Sequence, residues 1–198
     1  MEKEIRSYGA EIRIMADGEA PKITGVASCF NVRSGVMRTK SGQEFEEIIA
    51  PGAFRNVLQD RGAVALINHD PNMILGRNPK TMTLRETDHG LEFEVIPPDT
   101  TYARNLKVSM EREDIDQCSF GFRVADKGDT WARDSGTGTP IRTIRTIEKL
   151  FDVSVVTYPQ YDMTHCGLRE IGHIENIEIP FDDTEIRKLR LEIEAAAL

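Results

Sequence analysis

The sequence has few cysteines, no long apolar run and no excess of positive charge, and each absence excludes a class of protein. Its three cysteines, Cys29, Cys118 and Cys166, are scattered and odd in number, which excludes a disulfide framework and favours a reducing compartment. No apolar run reaches the roughly 18 residues of a membrane-spanning helix, so we expect no membrane partner. The formal net charge of −8 disfavours nucleic-acid binding, which depends on positive charge.

The remaining composition fits one soluble globular domain with a tail. The first six residues lack the apolar segment of a secretory signal, so we expect a cytoplasmic protein. The chain of 198 residues is 39% hydrophobic and 29% charged, which is adequate for a single core. We expect a main domain over residues 1–170 and a charged C-terminal tail over residues 171–198, helical from about Pro180.

Short alternating segments separated by turn residues dominate the main domain, which predicts a mainly β (α+β) fold. We expect about seven strands in a closed or partly open β-barrel, with a few helices packed outside it. One short helix is predicted within residues 50–58, and a longer one from Thr100 or Thr101 to about Glu113. Residues 126–140 are polar, which predicts a long loop.

One predicted strand, residues 117–124, has a small hydroxyl where a bulky residue would be expected. Because side chains alternate between the faces of a strand, Cys118, Phe120 and Phe122 belong to the core. Ser119 then lies on the other face, beside a glycine that leaves it open. An open hydroxyl on a rigid sheet suits a nucleophile if a base is near, although an outward serine is also a common surface residue.

A serine nucleophile needs a general base, which is most often histidine. Of the four histidines, His69 is placed best for this role, because it ends the apolar strand at residues 64–69. We expect that strand to stop pairing at Pro71, since proline lacks the N–H that a ladder needs. His89 lies in a predicted turn, and the other two histidines lie in the C-terminal third.

The base in turn needs a group that orients it, and Asp152 is the candidate. Alternation places Phe151 and Val153 on one face of the strand at residues 150–157, and Asp152 on the other. A carboxylate within an apolar strand is costly unless it is paired. Asp152 could therefore hold the imidazole of His69, or it could form an ion pair with an arginine, Arg123 or Arg145.

Six short blocks follow one another in an order that is more specific than any single block. The blocks are Ile23-Thr24-Gly25-Val26-Ala27, Glu47-Ile48-Ile49-Ala50-Pro51-Gly52-Ala53-Phe54, Ile67-Asn68-His69-Asp70, Leu75-Gly76-Arg77, Ile115-Asp116-Gln117-Cys118-Ser119-Phe120-Gly121-Phe122 and Leu150-Phe151-Asp152-Val153-Ser154-Val155-Val156-Thr157-Tyr158-Pro159. With them the chain resembles the prohead (capsid maturation) proteases of tailed phages, over roughly residues 10–168.

The resemblance implies a serine endopeptidase with a fold like that of the herpesvirus assembly protease, a β-barrel with helices around it. By motif position Ser119 is the nucleophile and His69 the base. The family's strand more often carries Glu at the position of Asp152, and Glu148 lies four residues earlier. Glu148 and Asp152 have the same parity, so strand alternation does not separate them. We predict Asp152 as the orienting residue, with Glu148 as the alternative.

The resemblance also implies a biological role. Such proteases act inside the procapsid, in the host cytoplasm. They cleave the scaffold or the scaffolding region of the major capsid protein, and then themselves. We expect these proteins as substrates, and we expect no cofactor and no metal. Assembly into a homo-oligomer stays open, and so does removal of the charged tail by self-cleavage.

Three other functions are alternatives to this one. A non-catalytic β-barrel scaffold module of the procapsid would equally explain the acidic surface and the charged tail. A zinc hydrolase would have to use His165, Cys166 and His173, whose spacing matches no common zinc motif. A cysteine protease using Cys118 is disfavoured, because that side chain belongs to the core face.

Overall fold

A computed structural model of the chain describes residues 3–7, 12–17, 20–39 and 41–158, with only the backbone for residues 12–17, 20 and 21. This part contains thirteen strands and one α-helix. The strands are β1 (Glu4–Arg6), β2 (Ile12–Asp17), β3 (Ala20–Cys29), β4 (Met37–Arg38), β5 (Glu44–Ile49), β6 (Val64–Ile67), β7 (Asp70–Arg77), β8 (Met82–Glu86), β9 (Gly90–Val95), β10 (Gln117–Val124), β11 (Asp129–Arg133), β12 (Pro140–Ile144) and β13 (Ile147–Val156). The helix, α1 (Thr101–Glu111), lies between β9 and β10.

The strands form three hydrogen-bonded sheets. One has five strands in the order β1-β10-β13-β6-β7, and two have four strands, in the orders β11-β12-β5-β4 and β2-β3-β9-β8. The mainly β prediction is confirmed. The predicted barrel of about seven strands is not confirmed, because the described strands are divided among three sheets that each end on edge strands. β7 is one such edge, and its Pro71 lacks the N–H needed to continue a ladder.

The hydrophobic core contains the apolar face that alternation predicts for β10. Cys118, Phe120 and Phe122 are fully buried. The ring of Phe120 lies 5.0 Å from that of Phe122 and 5.6 Å from that of Phe54, measured between centroids. Burying such side chains contributes about 1.5–3 kcal/mol each, so β10 is anchored firmly. The opposite face of β10 is thereby held in a defined position.

The helix prediction is confirmed for the longer segment. α1 ends at Glu111 and buries Leu106 and Met110, although the side chain of Thr100 makes no capping hydrogen bond. Residues 51–59 form turns rather than the predicted short helix, and Gly52 has a φ of +90°, which a right-handed helix does not allow. Within the described residues, no helix is long and apolar enough to cross a membrane.

The segment predicted as a polar loop, residues 126–140, contains β11 (Asp129–Arg133). Its Trp131 is buried with its ring 5.4 Å from the ring of Phe45, and this long-range contact is invisible to local polarity. The expected C-terminal tail lies outside the described residues.

Candidate active site

Three neighbouring strands of the five-stranded sheet carry the predicted site residues. β10 pairs antiparallel with β13, and Ser119 lies opposite Ser154, two residues after Asp152. β13 pairs in parallel with β6, and Val155 lies opposite Ile67. The turn that follows β6 therefore emerges beside β13 and two strands away from β10. Strands that are far apart in sequence are brought side by side in this way.

His69 lies in a tight turn rather than on a strand. Asn68 and His69 form the two-residue connection between β6 and β7, and both have positive φ, 51° and 58°. Positive φ at both central residues is the geometry of a type I′ hairpin turn. The strand thus does not stop at Pro71 as predicted, because β7 begins at Asp70 and continues through the proline as an edge strand.

The side chain of Asn68 ties this turn to the end of β13. Its Oδ1 accepts a hydrogen bond from the backbone N–H of Thr157 at 2.9 Å, and its backbone N–H donates to the carbonyl of Val155 at 2.9 Å. The left-handed conformation of His69 costs free energy, and such conformations persist where the surroundings hold them. The imidazole is therefore fixed relative to β13.

A chain of hydrogen bonds joins the three predicted residues. His69 Nε2 is 2.7 Å from Ser119 Oγ. The other ring nitrogen, Nδ1, is hydrogen-bonded to Asp152 Oδ1. A neutral imidazole that donates from Nδ1 to a carboxylate presents a free lone pair on Nε2, where it accepts the hydroxyl hydrogen. This arrangement of hydroxyl, imidazole and carboxylate is able to generate a nucleophile.

Asp152 is nearly completely buried and accepts hydrogen bonds at both oxygens. Ser154 Oγ donates to Oδ1 at 2.7 Å, and Lys3 Nζ donates to Oδ2 at 2.6 Å. Burial alone would raise the pKa of Asp152. The hydrogen bonds and charge of His69, with those of Lys3 and Ser154, outweigh burial and lower the pKa below its ordinary value. The carboxylate is therefore ionised at neutral pH.

Glu148, the alternative orienting residue, lies elsewhere. Its carboxylate accepts hydrogen bonds from Arg123 at 2.8 and 3.1 Å, and half of its side chain is exposed. Glu148 lies four residues before Asp152 on β13, which is about 13 Å along a strand. The register shifts of β13 leave Glu148 and Phe151 without an opposite residue on β10. The bulge at Phe151 puts Leu150 and Val153 on the same buried face, so Phe151 does not share the Val153 face as predicted.

Ser119 is not open, contrary to prediction, because its exposed fraction is 0%. β1 pairs with β10 along the edge that carries Ser119. The side chain of Lys3 fills the space beside Gly121, where a Cβ would lie 2.3 Å from Lys3 Cε. The predicted gap on the glycine side is thus occupied by the chain's own N-terminal segment.

The comparisons with known proteins agree with the predicted resemblance. The family model described as caudovirus prohead serine protease matches residues 9–177 of the 198. The chain belongs to this family. It is therefore a protease of phage capsid maturation.

Among solved structures, the chain is similar to the bacteriophage T4 capsid assembly protease, gp21, with 14% identity and a TM-score of 0.49. That match covers 80% of this chain and 100% of gp21. No curated protein matches the chain.

Two residues of the site carried no signal in the sequence. Lys3, just before β1, reaches Asp152 across 149 positions of sequence, and Ser154, opposite Ser119, donates to the same carboxylate. Cys118 is fully buried, and burial raises the pKa of its thiol, which opposes a cysteine nucleophile. Within the described part of the chain no group of His, Cys, Asp and Glu could hold a metal ion, and His165, Cys166 and His173 lie outside that part.

Proposed function

We propose that this member of the prohead protease family is a serine endopeptidase in which Ser119 is the nucleophile, His69 the general base and Asp152 the orienting carboxylate. It cleaves the scaffold or the scaffolding region of the major capsid protein, and itself, inside the procapsid. The observation that supports the assignment is the continuous hydrogen-bonded chain from Ser119 Oγ through both nitrogens of His69 to Asp152. The family supports the capsid-maturation role.

The chemistry follows from the positions of these groups. His69 Nε2 takes the hydroxyl proton as Ser119 attacks a substrate carbonyl, and the imidazolium then protonates the leaving amine. Asp152 holds the tautomer with hydrogen on Nδ1 and stabilises the positive charge of the imidazolium. General-base catalysis of this kind contributes about 10²–10⁴-fold to the rate. Its lowered pKa keeps Asp152 charged throughout this cycle.

The hydrogen bond of Ser154 to Asp152 supports the same assignment. A buried carboxylate that orients a histidine needs its remaining lone pairs satisfied. Ser154 Oγ lies 2.7 Å from Asp152 Oδ1 and 3.2 Å from His69 Nδ1, so it contacts both members of the pair. Ser154 is therefore a positioning residue in the proposed mechanism.

The experiment that tests the proposal is the Ser119→Ala variant of the full chain, co-expressed with its phage's major capsid protein. We expect the unchanged protease to shorten the capsid protein, seen on a gel and by mass spectrometry, and the variant to leave it intact. The matched control is Ser135→Ala, which removes a hydroxyl from an exposed position between β11 and β12, and which we expect to leave the cleavage rate unchanged. Cleavage by Ser119→Ala at the original rate would refute the nucleophile assignment and favour the scaffold-module alternative.

A further inference from the structure

The edge of β10 is occupied by the chain's own residues 3–7. β1 lies antiparallel to β10, with Arg6 opposite Phe120 and Ile5 opposite Gly121. Addition of an extended segment to a sheet edge is a general way in which proteins bind peptides. The segment that covers the nucleophile therefore has the geometry of a bound peptide.

A carbonyl of this segment lies at the nucleophile. Ser119 Oγ is 3.0 Å from the carbonyl oxygen of Arg6, within hydrogen-bonding distance, and 2.7 Å from His69 Nε2. A hydroxyl has one hydrogen, so these two acceptors compete for it. When His69 takes the hydrogen, the Ser119 oxygen is left as a nucleophile next to the Arg6–Ser7 peptide group.

The side chain of Arg6 enters a buried acidic site. Its Nε and Nη2 donate to the two oxygens of Glu47 at 2.6 and 2.9 Å, which is a bidentate arrangement. Glu47, on β5, has no exposed surface. A carboxylate in such a place is costly unless a cation pairs with it. The site thus selects a positively charged, fork-shaped side chain.

Arg142 forms a second contact, with Glu4, which lies two positions before Arg6 and on the same face of the strand. Glu4 accepts hydrogen bonds from Arg142 at 2.7 and 3.2 Å. Burial alone would raise the pKa of Glu4, but the charges of Arg6 and Arg142 outweigh it and lower the pKa. Glu4 therefore binds as a carboxylate.

The site favours a cation even without the side chains of β1. Arg142 also donates to Glu47 at 3.1 Å and to Asp129 at 2.6 Å. Without the side chains of β1, the two carboxylates of Glu47 and Asp129 face one guanidinium. The excess of negative charge favours binding of one further cation.

On the basis of the proposed function, we propose that Glu47 and Arg142 form subsites for a substrate segment of the form Glu-any residue-Arg, cleaved after the arginine. Residues 4–6 occupy these subsites as the enzyme's own substrate, and Arg6–Ser7 is the bond that is cut. The substrate class is an extended peptide with a basic residue on the N-terminal side of the cleaved bond.

The atoms of the reaction balance as follows. Ser119 Oγ bonds to the carbonyl carbon of Arg6, the bond to the Ser7 nitrogen breaks, and His69 passes the hydroxyl proton to that nitrogen. Water then adds its hydroxyl group to the carbonyl carbon, the bond between that carbon and Ser119 Oγ breaks, and the other hydrogen of the water passes through His69 to Ser119 Oγ. The products are a peptide ending in the carboxylate of Arg6 and a chain beginning at Ser7. Departure of the peptide uncovers β10.

The first measurement uses the full chain. We expect intact-mass analysis to show loss of residues 1–6 from the unchanged protein, and no loss from Ser119→Ala. Arg6→Met keeps an unbranched, flexible side chain but removes the charged guanidinium, so we expect slower loss of the segment. An N-terminus that stays intact in a preparation able to cleave the capsid protein would overturn the proposal.

The second measurement leaves the enzyme unchanged and varies only the substrate, which avoids any variant that fails to fold. A synthetic peptide with the sequence of residues 1–10 is compared with the same peptide carrying Arg6→Met. We expect kcat/KM to be lower for the second peptide by about 30-fold or more, because a bidentate charge-assisted pair is lost. Equal cleavage of the two peptides would overturn the subsite.

Different results would refute the proposed function and the proposed subsite. Capsid-protein cleavage that is independent of Ser119 would refute the proposed function. Capsid-protein cleavage that depends on Ser119, with no preference for the arginine peptide, would refute only the subsite.

Discussion

Replacement of Asp152 by asparagine removes the charge of this side chain while nearly keeping its shape. In the proposed mechanism His69 becomes positively charged as it accepts the Ser119 proton. A carboxylate about 4 Å from that charge, at an effective dielectric constant of about 20, stabilises it by about 4 kcal/mol. Loss of this stabilisation corresponds to roughly a 10³-fold lower rate.

The hydrogen-bond donors around Asp152 lower the rate of Asp152→Asn further. The ammonium group of Lys3 acts only as a hydrogen-bond donor, and it donates to one oxygen of Asp152 at 2.6 Å. In the state with β1 in place, the amide of Asp152→Asn would have to place its oxygen toward Lys3 and its NH₂ group toward His69. That orientation favours the tautomer with hydrogen on Nε2, which is unable to accept the hydroxyl proton. We expect a total loss within about 10²–10⁴-fold.

The assay is the rate of capsid-protein cleavage and of self-cleavage, with the melting temperature measured alongside to confirm folding. Glu148→Gln is the matched control, because it removes a carboxylate from the same strand. Glu148 pairs with Arg123 at a half-exposed position, where an ion pair contributes about 0–1 kcal/mol to the free energy of unfolding. We expect its activity to stay within about twofold. A loss below tenfold for Asp152→Asn, or an equal loss for both variants, would refute the assignment.

Two further predictions concern the same carboxylate. Gly121→Ala places a Cβ 2.6 Å from Asp152 Oδ2, so we expect displacement of Asp152 to lower the cleavage rate by about tenfold or more. Gly35→Ala is the control, because its added Cβ has no atom within 4 Å, and it should leave the rate unchanged. Equal cleavage rates for the two variants would contradict this prediction. Because the pKa of Asp152 is lowered in the folded state, its contribution to the free energy of unfolding is present above the unfolded pKa and is lost as pH falls through the folded pKa. The difference in free energy of unfolding between the unchanged protein and Asp152→Asn, from urea titrations, should therefore shrink between pH 5 and pH 2.5, and a constant difference would argue against it.

Local patterns were sufficient for several elements. Alternation alone predicts that Phe120 and Phe122 are buried and that Ser119 lies on the other face of β10. This works because the side-chain period of a strand is set by its backbone geometry and needs no partner. The helix at Thr101–Glu111 follows from its own spacing of apolar residues in the same way.

The choice between Asp152 and Glu148 shows where alternation stops being informative. Strict parity assigns both residues to one face, and the pairing of β6 with β13 brings His69 to Asp152 and leaves Glu148 beside Arg123. This pairing joins segments that are distant in sequence, so no pattern within β13 predicts it. Residue types in β13 alone therefore gave no means of excluding Glu148.

The open nucleophile was a wrong prediction for a related reason. The sequence shows a glycine beside Ser119 but not which segment fills the space that the glycine leaves. The N-terminal segment of residues 3–7 fills it, and the contacts of Lys3 with Asp152 and of Arg6 with Glu47 join residues separated by 149 and 41 positions. Contacts of that range depend on how the sheets pack, which no local pattern encodes.

Residue types and their order were enough to identify a prohead protease, to assign the faces of β10 and to nominate a hydroxyl, an imidazole and a carboxylate. Folding added the distances between them, the two-residue turn that carries His69, and the N-terminal strand over Ser119. The features determined by the sequence follow from the type of each side chain and its place in the chain. The features added by folding depend on strand order and register, which arise only when distant segments share hydrogen bonds.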